Sequence, residues 1–398
     1  MNPDLQKLQP YPFERLFKLK AGITPPANKS PIALSIGEPK HAPPAFALTE
    51  MQQHLNRVGS YPLTRGISEL RETIAQWLTQ RFQLKANSLD AEVQVLPVNG
   101  TREALFAFSQ AVVDRTDNPV VMMPNPFYQI YEGATLLGGA EPYFLNTTES
   151  TNYLPDFDSV PEKIWKRCQL IYICTPGNPT GAVMDIASMQ RLIELADEHD
   201  FIIASDECYS EIYFDEENPP PGLLEAAAKM GRDGYERCVV FHSLSKRSNV
   251  PGLRSGFVAG DKNIMQKFLQ YRTYHGCAMP EFTQHSSISL WKDEKHVKAN
   301  RDLYREKFSK VTAMLSGVLN VTHPDAAFYL RPETPIDDES FAQKLFAQQN
   351  ITVLPGSYLS RIGNNINPGE NRVRIALVAS VDECTEAANR IVEFTNSL

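Results

Sequence analysis

The chain has no run of lysine and arginine and no apolar stretch of membrane-spanning length. Its 39 basic and 47 acidic side chains leave a formal charge of −8, which argues against a general binder of nucleic acid or other polyanions. The six cysteines form no Cys-x-x-Cys pair, and several sit in apolar, strand-like runs where a buried reduced thiol is the simplest reading. The eight histidines show neither His-x-x-His nor His-Glu-x-x-His spacing, so no metal site is expected. The opening residues Met1 to Lys7 lack the basic-then-apolar pattern of a secretory signal. These absences point to a cytosolic protein with neither nucleic-acid nor membrane partners.

What is present is an ordinary globular composition, 42% hydrophobic and 22% charged, over 398 residues. That length favours two domains. Ten of the 29 prolines fall by position 62, and the first 45 or so residues read as irregular apart from a short strand candidate at Ile32–Ile36. Apolar runs near 93–98, 119–123, 140–145, 169–174, 201–206, 238–243 and 254–259 read as seven strands. Helical spacing precedes the first of them, in Leu70, Ile74, Trp77 and Leu78, and separates later ones, as in Met189, Leu192, Ile193 and Ala196. Alternation of this kind predicts an α/β fold: a largely parallel seven-stranded sheet covered by helices on both faces. From about residue 292 the chain turns to a charged helical connector and then to short strands with one helix, a smaller α+β domain. The expected divisions are 1–45, an N-terminal segment packed with the small domain; 46–291, the large domain; and 292–398, the small one.

Ligands collect at the carboxyl ends of strands in such sheets, and each polar cluster falls at one of those ends. Asn99-Gly100-Thr101 follows a strand and opens a helix, which suits an anion or simply an N-cap. Gly37 ends a short strand and admits either a ligand's close approach or a plain turn. Thr175 to Gly181 is a turn holding the side-chain amide of Asn178. Asp206 and Tyr209 follow one strand, and Ser243-Leu-Ser-Lys246 with Arg254 follows another. A lysine amine among hydroxyls and a guanidinium is the set that covalent aldehyde capture beside a phosphate requires.

In order, Gly37-Glu-Pro39, Tyr61 with Gly66, Asn99 to Leu105, Tyr128, Pro176 to Gly181, Asp206 to Tyr209, Ser243 to Lys246, Arg254 and Arg374 resemble the class I/II aminotransferases of pyridoxal-phosphate fold type I. The resemblance covers nearly the whole chain, including gaps of 28 from Asn178 to Asp206 and 8 from Lys246 to Arg254. It implies that Lys246 condenses with the aldehyde of pyridoxal 5′-phosphate and is the catalytic base. Asp206 would face the pyridine nitrogen, Asn178 and Tyr209 the phenolic oxygen, and Tyr128 the ring. The phosphate would rest on the N–H groups of Gly100, Thr101 and Arg102, on Ser243 and Ser245, and on Arg254. Arg374 would bind the substrate α-carboxylate, helped by Asn178 and Gly37. Tyr61 would reach the cofactor of a second subunit, implying a homodimer, or be an ordinary packed tyrosine.

Two positions depart from the family pattern. Lys40-His41 stands where Asp often follows Gly-x-Pro, and Asp325-Ala-Ala precedes Phe328-Tyr329 where glycine is frequent. Within the family the chain most resembles bacterial succinyldiaminopimelate transaminases, which implies N-succinyl-LL-2,6-diaminopimelate and 2-oxoglutarate as substrates in lysine biosynthesis. Arg102, Arg65 and Lys40 are candidates for a distal carboxylate or are solvated charges. Aspartate- or aromatic-type transamination and C–S β-elimination are the alternatives.

Overall fold

The computed structural model describes residues 1–276 and 278–398. Twelve strands form in these residues: β1 (Ile32–Ala33), β2 (Val95–Val98), β3 (Val120–Asn125), β4 (Glu141–Asn146), β5 (Cys168–Cys174), β6 (Ile202–Asp206), β7 (Cys238–Ser243), β8 (Gly256–Gly260), β9 (Tyr329–Leu330), β10 (Ile351–Thr352), β11 (Leu354–Pro355) and β12 (Val373–Ala376). The seven expected strands make one sheet in the order β2-β8-β7-β6-β5-β3-β4. Neighbours from β7 through β4 run parallel, and β8 runs antiparallel to both β7 and β2.

The period of two along each strand divides its side chains between two apolar layers. Val240 packs on one face with Leu70, Ile74 and Trp77, whereas Val239 and Phe241 pack on the other with Phe108 and Phe268. Burial on both faces explains why the inner strands read as continuous apolar runs, whereas the edge strand β4 is only partly buried. The reversed β8 has a consequence for the site. Gly256 at its start pairs with Ser243 and with Val98, so Arg254 arrives at the edge where β6 and β7 end.

A second core gathers Ile32, Leu34, Tyr304, Phe308, Phe328, Phe341, Ile375 and Phe394 with Tyr209 and Ile212. Above it lie the antiparallel set β11-β12-β9 and the parallel pair β1-β10, in register at Ile32 and Ile351.

Two expectations need correction. The first 45 residues are not irregular throughout, because Pro12–Leu19 is a helix. Proline at its first position lacks an N–H that would be unpaired there anyway, and Glu14 and Lys18 complement the helix dipole. Leu16 is buried against Leu354, Tyr358 and Leu359, so tertiary packing holds a segment whose proline content disguised it. The charged stretch from residue 292 is more than a connector: the helix Lys295–Leu315 buries Val297, Tyr304, Phe308 and Val311 along one side. The five described cysteines are free thiols, and Cys277 lies outside the described residues. Among the described residues no helix is long and apolar enough to cross a membrane, and no cluster of side chains could hold a metal ion.

Candidate active site

β7 ends at Ser243, whose Oγ accepts a hydrogen bond from the Ser245 N–H at 3.1 Å and starts the single helical turn Leu244–Arg247. That turn directs Lys246 into the protein, where Nζ donates to the Gly37 carbonyl at 2.5 Å. Burial pushes the Lys246 ammonium down to about 8; Arg374 and Arg254 act in the same direction, and Cys208 and Glu38 oppose them. An appreciable fraction of the amine is therefore neutral near physiological pH.

Asp206 closes β6 and is 4% exposed. Its Oδ2 accepts from Tyr131 Oη at 2.6 Å and its Oδ1 from the Cys208 N–H at 3.3 Å. Burial raises its pKa despite these bonds, so the carboxylate sits where a cation facing it would be strongly favoured. On the small sheet, Arg374 of β12 donates through Nη1 to Asn178 Oδ1 at 3.1 Å and through Nη2 to the Ser35 carbonyl at 2.6 Å. Its Nε is buried with no acceptor, a donor free to meet an anion. The Arg374 guanidinium lies 4.7 Å from the Tyr329 ring centre, and Tyr329 Oη meets Tyr209 Oη at 2.8 Å.

The anion side is built by backbone constraint. Gly100 has φ +83°, and a Cβ there would come within 2.2 Å of Arg254 Nη2, so only glycine lets the guanidinium lie against the start of the helix Thr101–Val112. Arg254, itself left-handed at φ +53°, is held by donation to the Pro251 carbonyl at 2.9 Å and the Asn99 carbonyl at 3.4 Å.

One cavity of about 720 Å³ collects Thr101, Arg102, Tyr128, Ser243, Ser245 and Arg254 with Gly37, Asn178, Asp206, Tyr209, Lys246 and Arg374. Gly100 supports it from behind Arg254. Tyr61 is elsewhere, fully exposed, and Arg65 and Lys40 are exposed ion pairs with Glu92 and Glu38. Arg102 does line the cavity, where Nη2 donates to Tyr11 Oη at 2.7 Å. Of the two departures, Ala327 is buried at φ +66° with its N–H on the Ile212 carbonyl, so alanine occupies a conformation that glycine takes at lower cost. His41 is bridged by Asn300 and Lys307, each at 2.6 Å, away from the cavity.

Sequence reading missed Tyr131, Tyr11, Phe13 and Ile36. Tyr131 stands one helical turn after Tyr128, a spacing that could have signalled it. Tyr11 and Phe13 carried no such signal, because they reach the cavity from a helix whose existence was hidden.

A lysine, an opposed buried carboxylate, an anion cradle and an arginine clamp thus share one cavity. A family model described as aminotransferase class I and II matches residues 29–391. The chain belongs to that family. An LL-diaminopimelate aminotransferase of Nitratidesulfovibrio vulgaris strain DP4 is 30% identical over 395 residues, covering 98% of this chain and 97% of the relative. A solved aminotransferase of Neisseria meningitidis is 49% identical, with a TM-score of 0.94 and coverage of 99% and 100%. A probable N-succinyldiaminopimelate aminotransferase of Thermus thermophilus is 25% identical, with a TM-score of 0.84 and coverage of 96% and 99%. The expected aminotransferase family and its α/β fold are thereby borne out.

Proposed function

We propose that this aminotransferase moves an α-amino group between an amino acid and 2-oxoglutarate with pyridoxal 5′-phosphate, and that its amino donor is N-succinyl-LL-2,6-diaminopimelate. The observation that carries the reaction type is the convergence of Lys246, Asp206 and Arg374 on one cavity. The donor set fits the cofactor: the Gly100–Arg254 cradle with Ser243 and Ser245 suits its phosphate, and buried Asp206 suits a protonated ring nitrogen. When bound, the cofactor supplies an aldehyde that captures amines and a ring that accepts electrons from the substrate Cα.

The chain's own residues do the rest. Lys246 would hold the cofactor through its amine, and with its lowered pKa the free amine would be a base of the right strength to take the Cα proton. Arg374, fixed by Asn178 and Ser35, orients the α-carboxylate so that the Cα–H bond points at that base. Tyr209 and Asn178, which line the same cavity, would hold the phenolic oxygen of the cofactor, and Tyr128 its ring.

The substrate is supported by the relatives' names, which divide between free and succinylated diaminopimelate. Free LL-diaminopimelate is accordingly the second reading. Homodimer formation belongs to the same proposal: Phe46, Leu48, Leu55, Val58, Tyr61 and Leu63 leave one segment rich in exposed apolar side chains, which a second copy would cover. So does a reducing cytosolic setting, in keeping with the unpaired cysteines.

A donor panel with 2-oxoglutarate tests the proposal, using succinylated and free diaminopimelate, aspartate, an aromatic amino acid and cystathionine. Conversion of the bound cofactor to its amine form by donor alone supports transamination. Release of pyruvate and ammonia instead would make the enzyme a β-lyase.

A further inference from the structure

Tyr329 opens β9 and lines the cavity that holds Lys246. It pairs with Ala376 across the antiparallel β9–β12 ladder, and Arg374 stands two residues along β12. Side chains two apart on a strand share a face, so Tyr329 and Arg374 are diagonal neighbours. The small Ala376 side chain leaves room for the ring. An aromatic side chain can span that diagonal, and the Arg374 guanidinium lies 4.7 Å from the Tyr329 ring centre.

The far end of the same side chain reaches a loop of the large sheet. Tyr329 Oη meets Tyr209 Oη at 2.8 Å, and both residues are buried. Their rings meet edge to face, with centres 5.6 Å apart. Burial raises the pKa of both phenols, so each hydroxyl keeps its proton at neutral pH. Two hydroxyls carry two protons, and the bond between them uses one. When Tyr329 is the donor, the Tyr209 proton is left for an acceptor placed in the cavity. Donation into Tyr209 also polarises its O–H and strengthens the bond that it gives.

The backbone entering β9 is fixed on the loops that carry the site. The Ala326 N–H donates to the Gly181 carbonyl at 3.0 Å, and the Ala327 N–H to the Ile212 carbonyl at 2.8 Å. Gly181 ends the turn that holds Asn178, and Ile212 follows Tyr209 by three residues. Gly37 lies against the third side of Tyr329. A Cβ there would come within 2.1 Å of Tyr329 Oη, and the Gly37 carbonyl is the acceptor for Lys246 Nζ. One ring of the small sheet therefore sits among Tyr209, Arg374 and Gly37, which come from three separate parts of the chain.

We propose that Tyr329 is a positioning residue for transamination: its hydroxyl orients the Tyr209 proton toward the cofactor's phenolic oxygen, and its ring backs Arg374 for the substrate α-carboxylate. The inference rests on the transaminase reading above and adds to it a side chain that acts through two others. The two handles are separable. The hydroxyl serves the cofactor side, and the ring serves the substrate side.

The test uses the holoenzyme of the wild type, Tyr329→Phe, Tyr329→Met, Tyr209→Phe and the double variant Tyr209→Phe/Tyr329→Phe. It reads the pH midpoint of the bound cofactor's absorption change. It also reads the rate and half-saturation of the two half-reactions, with glutamate and with 2-oxoglutarate. Donors to the phenolic oxygen favour its fully charged form, so weakening them moves the midpoint up. Tyr329→Phe should raise it by roughly half a pH unit, the scale of one neutral hydrogen bond. Both half-reactions should slow about fivefold, with half-saturation held within about twofold because the ring still backs Arg374. In the Tyr209→Phe background the same change should move the midpoint no further, since the hydroxyl acts through Tyr209. Tyr329→Met should in addition raise half-saturation about fivefold for both acids, the scale of a lost cation–π contact. Tyr329→Leu replaces it should that variant not fold.

A wild-type midpoint in Tyr329→Phe, or an equal shift in both backgrounds, would overturn the role of the hydroxyl. Unchanged half-saturation without the ring would overturn the role of the ring. Lowered thermal stability with midpoint, rates and half-saturation all unchanged would make Tyr329 a packing residue and nothing more. If the wild type neither binds pyridoxal phosphate nor accepts the amino group of glutamate, the transaminase reading fails and takes this inference with it. An active wild type with unaltered variants sinks the inference alone.

Discussion

The Tyr131 hydroxyl donates to Asp206 Oδ2 at 2.6 Å, and both residues are buried between the sheet and the helix Ile130–Leu137. Tyr131 also stacks on Tyr172, with ring centres 4.7 Å apart, so its position is set by packing and its hydroxyl is free to serve the carboxylate.

Tyr131→Phe keeps that stack and removes one of the two bonds to Asp206. The buried carboxylate then rests on Cys208, and the cofactor-free protein should lose about 1–3 kcal/mol at pH 7. A urea midpoint equal to that of the wild type would show that the hydroxyl does nothing for Asp206.

Lys246 should capture pyridoxal phosphate as a neutral amine. Its pKa is depressed, so the neutral fraction grows as pH rises through about 8, below the ordinary lysine range. The initial rate of borohydride-trapped labelling of the cofactor-free protein should follow that curve and place the label on the Lys246 peptide. Arg374 is one of the groups holding the pKa down, so Arg374→Met should move the midpoint upward. A midpoint near 10 in the wild type, or a label on another lysine, would reject the assignment.

Gly100→Ala places a Cβ against Arg254 at a backbone angle disfavoured for alanine. The guanidinium must move, and cofactor affinity should fall at least about tenfold, or ~1.4 kcal/mol. Equilibrium dialysis against pyridoxal phosphate measures this. Unchanged affinity would mean that the cradle does not bind the phosphate.

Arg374→Leu removes the clamp common to every α-amino acid. The KM of both amino donor and 2-oxoglutarate should rise by about 30-fold or more, the worth of hydrogen bonds to a charged partner. A rise for one substrate alone would contradict an α-carboxylate role.

The inner strands of the large sheet could be read from the sequence because burial on both faces leaves a continuous apolar run, as in Val239 to Phe241 or Leu170 to Ile173. The family could be read too, since Asn178, Asp206, Lys246 and Arg254 keep spacings set by the strand and helix lengths between them. Their roles at the site remain proposals for the experiments above.

Contacts made across long sequence separations were out of reach. The helix at Pro12–Leu19 exists because Leu16 finds Leu354 and Tyr358, more than 300 residues away, and local proline content argued against it. Asp206 gains Tyr131 only because β6 and a helix from another crossover pack together. Periodicity and motif spacing are local properties written along the chain, and they determined the fold class and the reaction family. Which charges are buried, and which partners they find, depends on the whole packed molecule, and that decided that Lys246, Asp206 and Arg374 share one cavity.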